Sequence, residues 1–211
     1  MQTQNKSVIN TAIKTLLIFI FLFNVAAGLY MPIIAIYISE NIVGATLMVI
    51  GISLAIYSIV KSVFQILIAK KLDSTKDENN DFIFLLLGTF IAIIYSLGFL
   101  YIENTTHLYL LQILTGFADA CIMASYYAIF SHHIDKDSQG FEWSLFSVIG
   151  LTVSAAIGGT IGGYIASNYG FSAIFILAAV FNAVAAVILI LLFPYIKNFR
   201  HIKYHKNLKI D

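Results

Sequence analysis

Residues 171–195 read FSAIFILAAVFNAVAAVILILLFPY, and residues 196–209, IKNFRHIKYHKNLK, follow directly. The first stretch has 25 residues and no charge, and the second carries Lys197, Arg200, Lys203, Lys206 and Lys209. About 20 apolar residues cross a bilayer as a helix, and a basic flank marks the side on which that helix ends. Toward the N-terminus, five more stretches obey the same rule, at about 15–39, 43–68, 82–102, 107–130 and 143–166. Eleven of the twelve Lys and Arg residues fall in alternate gaps. Lys6 and Lys14 precede the first span, Lys70, Lys71 and Lys76 follow the second, and Lys136 follows the fourth. The other gaps contain Glu40 and Glu103 but no Lys or Arg.

This pattern predicts an all-α membrane protein with six transmembrane helices, an up-down bundle with both termini cytoplasmic. Composition agrees, at 60% hydrophobic and only 11% charged residues. The organisation is a cytoplasmic segment at 1–14, a membrane domain at 15–195 and a basic cytoplasmic tail at 196–211. The tail is expected either to touch anionic lipid head groups or to be solvated. The first apolar run continues to Ile38, beyond the core of a signal peptide, so it reads as an uncleaved helix. The expected location is the plasma membrane, with the lipid bilayer as the first partner.

Polar groups inside hydrocarbon are expensive, so each one needs a reason. Asp119 is halfway along the fourth span, and Gln112, Thr115, Asp119, Met123 and Tyr126 share an arc of roughly 80° on a helix. That face is expected to line a cavity. Lys61, the one basic residue inside a span, shares a stripe with Tyr57 and Gln65 at a depth near that of Asp119. It either pairs with Asp119 or snorkels to the head groups. Asn24 is near mid-depth in the first span, ahead of Pro32, which should bend that helix. Asn24 is either a cavity residue or an interhelical hydrogen-bonding group. In the fifth span Gly150, Ser154, Gly158 and Gly162 recur every four residues, beside a second row of Ala155, Gly159 and Gly163. Small residues at this spacing allow close helix packing, so the span needs a partner.

There is no phosphate-binding glycine loop, no G-x-S-x-G turn and no Cys/His metal spacing. The expectation is therefore no enzyme, no cofactor, no metal and no nucleic-acid partner. His132-His133 with Asp135 and Asp137 reads as a solvated loop.

Three segments in this order resemble the N-terminal half of a major facilitator superfamily transporter. Ala69-Lys70-Lys71-Leu72-Asp73-Ser74-Thr75-Lys76 is similar to the family's G-x-x-x-D-[RK]-x-G-[RK]-[RK] loop, with Ala69 at the first Gly. Gln112-Ile113-Leu114-Thr115-Gly116 is similar to its R-x-x-x-G element, with Gln112 at the Arg. Gly158-Gly159-Thr160-Ile161-Gly162-Gly163 is similar to its G-P-x-x-G-G segment, with Gly159 at the Pro. The resemblance implies one half of the major facilitator fold, a gating role for Asp73, and a central cavity lined by the first and fourth spans. It implies alternating access for a small-molecule substrate, with protons as a candidate coupling ion. The family usually has twelve helices in two parallel halves. A homodimer, or a second six-helix half, would complete that architecture, and the fifth span's glycine rows would meet their partner across the two-fold. The alternatives are a non-transporting six-helix subunit or scaffold, and a fragment of a twelve-helix transporter.

Overall fold

A computed structural model describes residues 10–75 and 78–207, and every regular element in it is a helix. Lys6, Lys76 and Lys209 of the charge pattern lie outside the described residues, as do the side chains of Lys197, Arg200, Lys203 and Lys206.

Helix α1 (Thr11–Tyr30) begins where the Asn10 side chain accepts the Ala12 N–H at 2.9 Å. Pro32 has no N–H to continue the ladder, so the chain tightens into a 3-10 turn at Met31–Ile33 and resumes as α2 (Ile34–Asn41). The α-helix is interrupted where Pro32 was expected to disturb it. Helices α3 (Leu47–Thr75), α4 (Glu78–Gly98) and α5 (Thr105–His133) are the next three spans. Asn104 caps α5 by accepting the His107 N–H at 3.0 Å. The fifth span is α6 (Gln139–Leu145), a π-helical stretch at Phe146–Val153 and α7 (Ser154–Tyr169). Gly170 stops it with a φ of +79°, a conformation that suits glycine. The sixth span, α8 (Phe171–Asn207), remains helical through the backbone of the basic segment, where the sequence reading placed a separate tail. Six of these helical stretches are long and apolar enough to cross a membrane.

The helices form an arc in which α3 packs on α5, α5 on α4, α4 on α8, α8 on α1, and α1 on the fifth span. The two ends of the arc are the least covered. Helix α3 buries only Ser53, Ile68 and Leu72, and α7 only Ser154, Gly158 and Gly162.

Lipid tails are as apolar as leucine, so close backbone approach has to hold such helices together. At the α1 crossing, a Cβ added to Gly162 would lie 1.9 Å from the Leu29 carbonyl oxygen. One on Gly158 would lie 2.6 Å from the Val25 carbonyl oxygen, and one on Gly150 2.9 Å from the Ile20 side chain. Gly28 supplies the matching gap on α1, 3.1 Å from the Gly158 Cα by the same construction. This corrects the expectation for the glycine rows. The row Gly150, Ser154, Gly158 and Gly162 meets α1 of the same chain, not a partner across a two-fold. The second row looks mainly outward: Ala155 is exposed, Gly163 faces open space, and a Cβ on Gly159 would meet Pro32 at 3.4 Å and the Gly28 carbonyl oxygen at 4.0 Å.

The two glycine rows should therefore respond differently to substitution. Gly162→Ala is expected to lower stability by about 1–3 kcal/mol through overpacking against backbone. Gly163→Ala, which has open space, should raise it by about 0.5–1 kcal/mol, because alanine is the better helix former. Thermal unfolding of detergent-purified protein reads both, and equal effects would contradict the assignment.

Candidate functional site

Helices α3 and α5, the second and fourth spans, run parallel and touch at Gly116. A Cβ there would lie 2.7 Å from the Tyr57 carbonyl oxygen and 3.2 Å from the Lys61 nitrogen. Glycine's missing side chain permits this approach. It places Asp119, about one turn further along α5, against the polar stripe of α3. Lys61 is 14 residues into α3 (61 − 47) and Asp119 is 14 into α5 (119 − 105), so the two sit at matching depth.

The Tyr57 hydroxyl donates to Asp119 Oδ2 at 2.6 Å, and Lys61 Nζ pairs with the same oxygen at 3.3 Å. Lys61 also donates to the Tyr57 hydroxyl at 3.0 Å, with Nζ 5.4 Å from that ring's centre. Asp119 Oδ1 is buried and has no hydrogen-bond partner among the described residues. The two charges differ in access, the Lys61 side chain being 29% exposed and that of Asp119 11%. The sequence left Lys61 between pairing and snorkelling, and here it pairs.

Two further groups belong to this neighbourhood, and sequence reasoning missed them. Tyr30 of α1 and Tyr95 of α4 are buried and interact electrostatically with each other and with Asp119. Their signal was the phenol itself, because a buried tyrosine hydroxyl needs a partner. Nothing in local spacing joins residues so far apart in the chain.

The remaining polar arc of α5 is not an open wall in this conformation, which corrects the cavity expectation. Thr115 is buried and donates to the Leu111 carbonyl at 2.8 Å. Tyr126 is fully buried, its ring 5.2 Å from Phe146, 5.6 Å from Phe130 and 6.4 Å from Phe19. It fills the junction of α1, α5 and the π-helical stretch. Gln112 and Met123 are half-buried. Asn24 is half-buried and donates to the Ile20 carbonyl at 3.0 Å, a bond within its own helix and not between helices. Asp73 is exposed in the last turn of α3.

His132 and His133 also depart from expectation. They form the last turn of α5, not a loop, and face the first turn of α4. His132 Nδ1 is 3.6 Å from Glu78 and 3.9 Å from Asp81, and His133 Nε2 is 3.6 Å from Glu78. Acids at a helix start and histidines at a helix end both complement the helix dipoles. Asp135 and Asp137 are not part of this group. Instead the Asp135 N–H and the Ser138 hydroxyl donate to the buried Glu142, at 3.2 and 3.0 Å. Among the described residues no group of three or more such side chains is placed to hold a metal.

Six membrane-length helices, the order of their packing and a charged group at mid-depth are the features to set beside known proteins. A sequence model of the Major Facilitator Superfamily matches residues 16–206. The chain belongs to this family. It is an integral, multi-pass membrane protein of a family of transporters, and its helices correspond to an N-terminal half of that fold. No curated protein matches the chain.

The ion pair has a measurable coupling. Lys61→Met strands a largely buried carboxylate, and Asp119→Asn strands the ammonium, so each should destabilise the protein. The double variant should recover about 1–3 kcal/mol relative to their sum. Denaturant unfolding of the four proteins checks this, and strict additivity would show that the two groups do not interact.

Proposed function

We propose that the protein moves a small solute across the membrane by alternating access, as a homodimer of six-helix bodies. The observation that carries the reading is the Lys61–Tyr57–Asp119 group, which holds two charges at mid-membrane depth on the α3/α5 seam. Ionisable groups at that depth are costly, and their usual use is along a solute or proton path. Charge placement supports cytoplasmic termini, and the likeness of the 69–76 segment to the family's loop supports Asp73 at the inward gate.

The outer face of the arc supports the dimer. Leu54, Ile59, Val63, Ile66 and Leu67 of α3 are exposed, and Ala155 and Gly163 present small residues on α7. The halves of this family are parallel repeats about an axis along the membrane normal. Two copies inserted alike would set α3 of one beside α7 of the other in a closed two-fold contact. The Asp119 face of α5 would then look toward the centre.

Two measurements test this. With Cys121 replaced by Ala, a single cysteine at Gly163 should cross-link two copies in native membranes, while one at the filled position Gly158 should not. Failure at Gly163 and at Ala155 would remove the homodimer and favour a different partner subunit. Proteoliposomes given a mixture of small metabolites should take up at least one solute that empty vesicles exclude. Asp119→Asn should reduce that uptake by about tenfold or more, and unchanged uptake would sink the carboxylate's role.

A further inference from the structure

We propose that the π-helical stretch Phe146–Val153 is a register joint in the fifth span, holding one residue more than an α-helix of its length needs. A clasp at Glu142 keeps the joint wide, and opening it lets the α6 end advance and turn while α7 stays on α1. The joint takes its use from the transport reading above but is tested on the fold itself, so either can fail without the other.

The widened ladder shows in side-chain bonds as well as in the backbone. On either side of the stretch, Ser144 donates to the Gly140 carbonyl at 2.7 Å and Thr160 to the Ala156 carbonyl at 2.8 Å, each four residues back. Within it, Thr152 donates to the Ser147 carbonyl, five residues back, at 3.2 Å. Ser154 closes the stretch by donating to the Gly150 and Leu151 carbonyls at 2.6 and 3.0 Å. A ring closed five residues back holds one residue more than the four-back ring of an α-helix. The stretch is rich in weak α-helix formers, the β-branched Val148, Ile149, Thr152 and Val153 together with Gly150, so its composition resists the widening little. Such stretches are uncommon and concentrate at functional positions.

The two ends of the fifth span are fixed to different helices. Helix α7 is pinned to α1 through Gly158 and Gly162. Helix α6, with seven residues, is too short to stand alone and is tied to the end of α5. Its Glu142 carboxylate, 1% exposed, accepts from the Asp135 N–H and the Ser138 hydroxyl of the connecting segment, and Trp143 packs on Phe130 at 4.8 Å. Between these anchors only Phe146 and Gly150 are buried, so little packing opposes a change of ladder. The extra residue lets both anchors be met at once. With the Glu142 clasp open, the ladder returns to its four-back form. The α6 end then advances by about 1.5 Å and turns by up to about 100°, the rise and angle of one residue.

Tyr126 shows what that turn would uncover. Its hydroxyl is buried with no hydrogen-bond partner among the described residues, and its ring lies 5.2 Å from that of Phe146, the first residue of the joint. A buried hydroxyl without a partner is costly. Carrying Phe146 away with α6 opens a route to one.

The test uses the full-length chain purified in detergent. Without the stored residue, the span should become a plain α-helix with both anchors kept. Deleting the exposed Ile149, or its exposed neighbour Val148, should leave the unfolding temperature within about 4 °C of the parent. Val184 is also exposed but lies in the unbroken α8, so its deletion turns one half of that helix by about 100° against the other. That deletion should cost more than about 8 °C or prevent folding. Hydrogen exchange read by mass spectrometry gives the second measure. Glu142→Ala should speed exchange of the 146–153 amides by about tenfold or more and leave those of 158–169 unchanged. In the Ile149 deletion the same substitution should have no such effect, because no stored residue remains to move. Glu142→Gln keeps the size and removes one acceptor oxygen; it should act in the same direction more weakly, and it replaces the alanine variant if that does not fold. A loss of stability on both joint deletions as large as that on deleting Val184 overturns the inference. So does a Glu142 effect on exchange that is absent, or equal with and without Ile149. Metabolite uptake by proteoliposomes remains the separate measure of transport.

Discussion

The contact of α3 with α5 at Gly116 is the constraint on which the polar interior depends. Hydrocarbon offers no water to a stray carboxylate or ammonium, so Asp119 and Lys61 are tolerable there only if they reach each other. A side chain at position 116 would collide with the Tyr57 carbonyl and the Lys61 backbone, and the helices would part at the level of the pair. The parallel run of the two helices then sets both charges, each 14 residues from its helix start, at one depth. Tyr57, one turn from Lys61, closes the group by bonding to both. Position, pairing and depth thus follow from one missing side chain.

Similar contacts fix the rest of the arc. Gly88 brings α4 onto α5, where a Cβ would lie 2.7 Å from the Ala118 carbonyl oxygen. Gly28, Gly158 and Gly162 bring α1 and the fifth span together. Each seam joins one helix to the next, and the sequence of seams leaves α3 and α7 at the two ends. The stabilising contacts of α3 come mainly from α5, so its remaining face is free for lipid or another protein. Because Lys61 is on the helix at that end, the charged group sits near the uncovered edge of the body and not at its packed centre.

How much of this was legible in the sequence depends on the range of the signal. Span number and approximate limits came from local hydropathy, which lipid enforces strictly. The matching depth of Lys61 and Asp119 followed from counting along two parallel spans, the second and the fourth. The Pro32 bend is a local property of the imino acid. What failed was information that spans the chain. Nothing in the four-residue repeat from Gly150 to Gly162 indicates which helix fills it, and a lone Gly28 on α1 carries no pattern of its own. The polar arc of α5 was judged by the angle it covers, yet Tyr126 turns into an aromatic junction and Thr115 bonds its own helix. Tyr30 and Tyr95 were passed over because each looked like one more aromatic in an apolar span. His132 and His133 were assigned to a loop because charge marked the gap, although α5 carries its hydrogen bonding through both.

The energetics of the pair bear on why such a group is kept at all. Replacing a buried ion pair with apolar residues of similar volume is often neutral or stabilising, so stability alone is a weak reason for Lys61 and Asp119. A pair serving only as glue would also be best built symmetrically, with both charges equally buried and strong bonds on every lone pair. This one is asymmetric. Its acid is the more deeply buried member and is held by a short phenol bond, with one oxygen unpartnered among the described residues. Its ammonium is the more exposed member, at the longer distance and with a donor to spare. An arrangement in which one charge is anchored and the other can exchange partners has two accessible states separated by a single contact. A solute able to replace that contact shifts the balance by as much as its differential affinity for the two states.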